Sequence, residues 1–207
     1  TPPSLTYDQK LKLDDLAERL IAAEEPVTIL IDGHEPEISE YLIKKLPNAR
    51  VVMDGGSLRA SNIKLAAWTD YFVVSEHFAR DYMSYRSLST EAEIKAALIE
   101  LNKICRGEAF ITLGEKGCAF LKSGMLQIVP SWLCNAVDTT GAGDVFHGAF
   151  TYGVHYSWHI DNIILFASLT AAISIEKKGV RESMPDLAVV HHSLNNYERN
   201  LKQYFEE

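Results

Sequence analysis

The chain has 207 residues, 47% of them hydrophobic, which is enough for a domain with a real core. Its net charge of −8 argues against a general binder of nucleic acid or of an anionic membrane, but not against a nucleotide, which needs only a local positive field. The three cysteines (Cys105, Cys118 and Cys134) are odd in number and lack metal-ligand spacing, and neither a membrane-length apolar run nor a signal peptide is evident, so reduced thiols in a cytoplasmic setting are expected.

Thr1-Pro2-Pro3-Ser4 reads as a loop, and the first predicted element is the buried strand 27–31, the apolar run Val27-Thr28-Ile29-Leu30-Ile31. An amphipathic helix is expected over 37–46, a second strand over 50–53 ending in the turn Asp54-Gly55-Gly56-Ser57, and a short helix over 62–68. A third strand, 71–74, leads into a helix from Ser75 or Glu76. Ile94, Ala97, Leu98, Leu101 and Ile104 recur at helical spacing and predict a helix over 91–105. A fourth strand covers 109–113. Strands 118–122 and 125–129 flank Ser123-Gly124 as a tight hairpin. Helices follow over 143–156 and 160–177, and a last one starts near Pro185-Asp186 with Leu187, Val190 and Leu194 down one face. Alternating strands and helices imply crossover connections, hence a mostly parallel sheet in a three-layer α/β/α sandwich read as one domain. Ligands are expected at the C-terminal strand ends, where the glycine turns lie.

The richest stretch is Asp138-Thr139-Thr140-Gly141-Ala142-Gly143-Asp144-Val145-Phe146-His147-Gly148-Ala149. A glycine-rich turn enters a helix whose first residues include a carboxylate. Backbone N–H groups of Gly141, Ala142 and Gly143 at a helix start, reinforced by the helix dipole, form a cradle for an anion that small residues do not obstruct. Asp144 beside it can accept the proton of a hydroxyl attacking a phosphate; its structural alternative is a helix cap.

This run resembles the signature of the ribokinase, or pfkB-type, carbohydrate kinases, and the resemblance extends over essentially the whole chain. It implies an ATP-dependent sugar kinase with Asp144 as base and Gly141, Ala142 and Gly143 as the anion hole. It also implies that an N-terminal segment supplying further strands, a lid and most sugar contacts belongs before Thr1, with a homodimer in the full-length protein built on such a lid.

Other positions take roles from the same resemblance. Thr112, Gly114, Glu115 and Gly117 line a turn where similar sequences meet ATP; an ordinary turn is the alternative there, and a solvent-facing role is favoured for Lys116. Ser168 and Ala172 would lie by the adenine, with close helix–sheet packing an equally good reading for Ala171 and Ala172. The stretch from Lys178 to Ser183 would enclose a K⁺ ion with Asp138 and Thr140, drawing on Gly179 and Ser183, although Gly179 also reads as a helix C-cap. Ser75 and Phe78 stand where many relatives carry Asn and Glu to order Mg²⁺, so Mg²⁺ is expected to be held largely by ATP and water, with Ser75 near the cofactor. Ser75 resembles the ketohexokinase-like branch and favours a fructose-like ketohexose over ribose, a nucleoside or a sugar acid. His34, Asp54 and Arg59 are candidate sugar or phosphate contacts, although turn chemistry is the favoured reading of that region. A hydrogen-bonded helix histidine is the favoured reading of His147, with reach to the substrate as the alternative, and a surface pair that of His191-His192. The competing reading of the chain is a catalytically silent kinase-like module that binds nucleotide or a protein.

Overall fold

The computed structural model describes residues 5–205, with side-chain surroundings through residue 196; the expected opening loop Thr1–Ser4 lies outside the described residues. The sheet has the order β1-β2-β3-β4-β5-β6. β1 (Thr28–Ile31), β2 (Arg50–Gly55), β3 (Tyr71–Ser75) and β4 (Glu108–Thr112) run parallel, and β5 (Cys118–Lys122) pairs antiparallel with β4. β6 (Met125–Val129) returns through a two-residue turn in which Ser123 and Gly124 have φ of 52° and 76°. Two consecutive positive φ values make the primed turn whose twist matches a hairpin.

Among the described residues eight α-helices accompany the strands: α1 (Tyr7–Ala22), α2 (Pro36–Lys45), α3 (Ala60–Ala66), α4 (Glu76–Tyr82), α5 (Glu91–Asn102), α6 (Ala142–His155), α7 (Ile160–Ser174) and α8 (Leu187–Phe205). The chain forms two compact units, Thr1–Leu113 with Cys118–Ile128, and Gly114–Gly117 with Val129–Glu207.

In the first unit the strand periodicity of two sorts the core. Val51, Met53, Phe72, Val74, Ala109, Ile111 and Ala119 share one cluster with Leu65, Phe78, Leu98 and Leu101 from α3, α4 and α5. Val52, Val73, Phe110 and Phe120 alternate with them and are just as buried, so both faces of the central strands are covered, as parallel sheets require. Each buried Val, Leu, Ile, Met or Phe among them contributes about 1.5–3 kcal/mol through burial. A smaller cluster of Ala17, Leu46 and Ala49 seats α1 against α2.

The second unit carries α6, α7 and α8. A Cβ on Gly153 would stand 2.9 Å from Ile163 Cγ1, so this glycine permits the close approach of α6 to α7. Tyr152 stacks on Phe166 at 5.7 Å, Trp158 meets Phe166 edge-on at 5.2 Å, and His191 from α8 lies 5.9 Å from the same ring. His191 and His192 are both exposed, as expected of a surface pair.

Several elements differ from the sequence reading. The expected buried strand is an edge strand, with Leu30 42% exposed. β2 runs on to Gly55, two residues into the expected turn. α3 starts at Ala60, which puts Asn62 inside the helix. α5 stops at Asn102 because that side chain turns back: Nδ2 donates to the Leu98 carbonyl at 2.8 Å and Oδ1 accepts from Ala109 N–H at 2.9 Å, hooking the helix end to β4. α7 ends at Ser174, whose hydroxyl takes the Ala171 carbonyl at 2.7 Å. α1 was not anticipated, although its start carries a readable signal: Thr6 and Gln9 form a reciprocal capping box. Among the described residues no helix is long and apolar enough to cross a membrane.

Candidate functional site

α6 begins without a side-chain cap. Its N-cap is Gly141, at φ 76° and ψ 4°, a left-handed conformation that suits glycine. The position is also crowded: a Cβ there would stand 2.6 Å from Val180 Cγ1. Gly143 is the opposite case. A Cβ on it would meet nothing within 4 Å, so the protein's own packing does not demand glycine there, and the space beside the backbone stays open.

The amides of this turn divide. Ala142 N–H is taken by the Thr139 carbonyl at 3.2 Å, so the expected three-residue cradle loses that donor. The N–H groups of Gly141, Gly143 and Asp144 have no protein partner among the described residues. Asp144 N–H is thus a cradle donor that the sequence reading missed; only its side chain was considered there. The Asp144 carboxylate is exposed in the first helical turn and makes no hydrogen bond or ion pair among the described residues. Amides aimed outward from a helix N-terminus, next to an uncommitted carboxylate, can hold an anion and accept a proton beside it.

The loops before α6 and after α7 meet at Asp138. Its carboxylate accepts from Thr140 N–H at 3.1 Å and from Gly179 N–H at 3.2 Å. Hydrogen bonds from the Thr140 side chain and backbone, then from Gly179, hold its pKa below the ordinary carboxylate value. Ser183 is buried, and its hydroxyl donates to the Gly179 and Val180 carbonyls. Asp138, Thr140, Gly179 and Ser183, the four residues named for a monovalent cation, are therefore linked in one loop cluster. A carboxylate with backbone carbonyls is a donor set that suits a hard cation such as K⁺. No cluster of three or more His, Cys, Asp or Glu able to hold a metal occurs among the described residues.

Of the residues named for the nucleotide, Gly114, Glu115 and Lys116 form an exposed single turn, closed by Gly117 N–H on the Gly114 carbonyl at 3.0 Å. Gly117, at φ 102°, is pressed against the Val129 carbonyl and Pro130, which leaves no room for a side chain. Ser168 and Ala172 are both 5% exposed on α7, within helix packing.

The first unit holds the other candidates. Thr112 ends β4 beside Ser75 of β3, and its hydroxyl donates to the Val74 carbonyl at 3.4 Å. Ser75 is doubly engaged: its hydroxyl accepts from Phe78 N–H at 3.0 Å and donates to the Gly56 carbonyl at 2.8 Å. Phe78 is fully buried, in edge-on contact with Phe72, and is no metal ligand. His34 is exposed and its N–H closes an Asx turn on Asp32 at 2.9 Å, the turn chemistry favoured for it. Arg59 is exposed at the N-cap of α3. The residue that organises this region was missed: Asn62, 1% exposed, donates to the Ser57 carbonyl at 3.2 Å and packs so closely on Gly33 that a Cβ there would overlap its Oδ1. Its signal was an Asn inside a short helix, which reads as a helix start.

Residues 57–187 match the pfkB family of carbohydrate kinases, a stretch that contains the whole turn from Asp138 to Asp144. The chain belongs to that family. It is 29% identical over 192 residues to a ribokinase from Lactococcus lactis, a match that covers 91% of this chain and 60% of the relative. A deoxyribokinase from Salmonella typhimurium is 31% identical over 131 residues, covering 63% of this chain and 42% of that protein. Among solved structures, an Arabidopsis thaliana ribokinase complexed with ribose and ATP superposes with a TM-score of 0.72 at 21% identity, over 92% of this chain and 60% of the other. That likeness gives the ribokinase-like three-layer α/β fold. The chain spans 60% or less of the length of these relatives.

Proposed function

We propose that the protein carrying this chain is an ATP-dependent sugar kinase that moves the γ-phosphoryl group to a hydroxymethyl oxygen of a small sugar. The observation that carries the reading is the start of α6, where three unpartnered amides adjoin an exposed Asp144. The attacking hydroxyl gives its proton to the Asp144 carboxylate as the bond to phosphorus forms. The Gly141, Gly143 and Asp144 amides take up charge on the equatorial oxygens of the transferred group. A loose transition state asks mainly for this orientation and stabilisation. Gly114, Glu115 and Thr112 are proposed for the phosphate and ribose side of ATP, and Ser168 and Ala172 for the base. Asp138, Thr140, Gly179 and Ser183 would hold a K⁺ ion, which when bound adds positive charge beside the anion cradle. Mg²⁺ is proposed to arrive with ATP.

A pentose, ribose or deoxyribose, is the favoured sugar. The similar ribokinases and deoxyribokinase support it. The ketohexose expectation rested on Ser75 and on a general resemblance to that branch, and the two hydrogen bonds of the Ser75 hydroxyl account for a serine there without reference to any sugar. His34 and Arg59 stay candidates for the sugar or its phosphate. The test is ADP release by the full-length protein with Mg·ATP and K⁺ over ribose, deoxyribose and fructose, with Asp144→Asn alongside. Turnover on a pentose, reduced about 10³-fold or more in the variant, is expected. Tight ATP binding without turnover of any sugar would instead favour the silent module.

A further inference from the structure

His147 lies one turn beyond Asp144 and takes no part in the reaction above. It is only 3% exposed, and its ring meets Phe146 edge-on at 5.9 Å. Its Nδ1 stands 2.6 Å from the Gly143 carbonyl oxygen. A carbonyl oxygen only accepts, so Nδ1 carries the proton and donates. The residue is also held from the other side, since the Thr151 hydroxyl donates to its carbonyl at 2.7 Å.

The Gly143 carbonyl and the Asp144 N–H belong to one planar trans peptide unit and point in opposite directions. Fixing the carbonyl therefore aims the amide. Donation into the carbonyl also polarises the unit, which strengthens its N–H as a donor. The neighbouring units are held by backbone bonds, Ala142 N–H on the Thr139 carbonyl at 3.2 Å and Val145 N–H on the Gly141 carbonyl at 3.0 Å, while the N-cap supplies no side-chain bond, so the histidine is the side chain that acts on this turn's peptide units from within the helix.

We propose that His147 is a positioning residue for phosphoryl transfer, aiming the Asp144 amide at the transferred group through the Gly143 carbonyl. The inference rests on the kinase reading above. Two variants separate the donor from the packing. Asn places its Nδ2 where His places Nδ1, so His147→Asn keeps the donor; His147→Leu fills similar space without one.

The full-length protein is used throughout. The carbonyl-carbon shift of Gly143 and the amide-nitrogen shift of Asp144 report the bond whether or not the protein turns over. Both are expected to move in His147→Leu and to stay near the parent values in His147→Asn. In steady-state assays His147→Leu is expected to lose about tenfold in kcat, with KM for ATP and sugar within about twofold, because a misaimed donor loses less than a deleted one. His147→Asn should recover most of that loss. Shifts that do not move in His147→Leu overturn the aiming. Moved shifts with unchanged kcat in an active protein, accompanied only by a lower melting temperature, reduce His147 to packing and overturn the proposal alone. A parent protein that turns over no sugar overturns the kinase reading and, with it, the catalytic role given to His147.

Discussion

Two helices of this chain, α4, which leaves β3 directly, and α6, which follows a glycine turn, treat their first amides differently. At α4 the Ser75 hydroxyl caps Phe78 N–H and also donates to Gly56, so a side chain of the protein takes one of the first amides. At α6 the N-cap is a glycine with no side chain to offer, and three N–H groups are left without a protein partner among the described residues. A helix N-terminus always has such donors to satisfy. Where the sequence supplies a capping side chain, the end serves stability. Where it supplies glycines and an adjacent carboxylate, the donors stay available to the anion proposed above.

The comparison is broken most severely at Gly141. Gly141→Ala forces a Cβ into a left-handed conformation and against Val180 Cγ1. It is expected to cost about 1–2 kcal/mol of stability. It also displaces one cradle amide, so turnover should fall about 10²-fold, on the scale of a lost oxyanion donor. Thermal unfolding and steady-state kinetics on the same preparation check both halves. A variant that loses stability but keeps its kcat would mean that the Gly141 amide is not part of the cradle.

The converse test is Ser75→Ala. Removing this cap is expected to cost about 1 kcal/mol and to leave ATP affinity within about twofold, since both bonds of the hydroxyl are internal. Urea unfolding and ATP titration of the variant distinguish this from the cofactor role first expected of Ser75. A large loss of ATP affinity at unchanged stability would restore that role.

The same contrast explains what could be read in advance. The α6 turn was legible because its chemistry lies in consecutive residues: glycines, a carboxylate and a following helix are local facts. Strands β5 and β6 were legible for the same reason, since Ser123-Gly124 fixes its own turn. Asn62 was not legible, because its role is to join Gly33 to Ser57 across two connections, and only the fold brings these together. The end of α5 failed likewise: the periodicity ran on to Ile104, but Asn102 stops the helix by reaching Ala109 in the next strand. The exposed face of β1 was hidden by composition, because an apolar run of five residues reads the same in a central strand and at an edge.

Asp138 sharpens the comparison through pH. Its carboxylate ties the loop before α6 to Gly179 and is held below its ordinary pKa by Thr140 and Gly179. For a carboxylate whose folded pKa is depressed, the stabilisation is fully present above the unfolded value, about 3.9, and is lost as pH falls through the folded one. Melting temperature recorded from pH 6 down to about pH 2 should therefore decline below about pH 4, and Asp138→Asn should flatten that limb relative to the parent. An equally steep limb in the variant would place the acid sensitivity elsewhere, with the depressed carboxylates Asp14, Glu40, Asp81 and Glu93 as the other contributors.

The smallest effect belongs to a third helix start. α1 is capped as thoroughly as α4: the Thr6 hydroxyl accepts from Gln9 N–H at 3.3 Å, and the Gln9 side chain accepts from Thr6 N–H at 2.9 Å. Both groups are exposed, and water replaces either partner readily, so Thr6→Ala is expected to cost about 0.5–1 kcal/mol. The loss should appear as faster amide exchange confined to the first turn of α1, with sugar turnover unaffected, because no residue of α1 is placed in the candidate site. A turnover defect in Thr6→Ala would mean that a closed helix end can matter to the chemistry as much as an open one, and the distinction between the starts of α4 and α6 would lose its force.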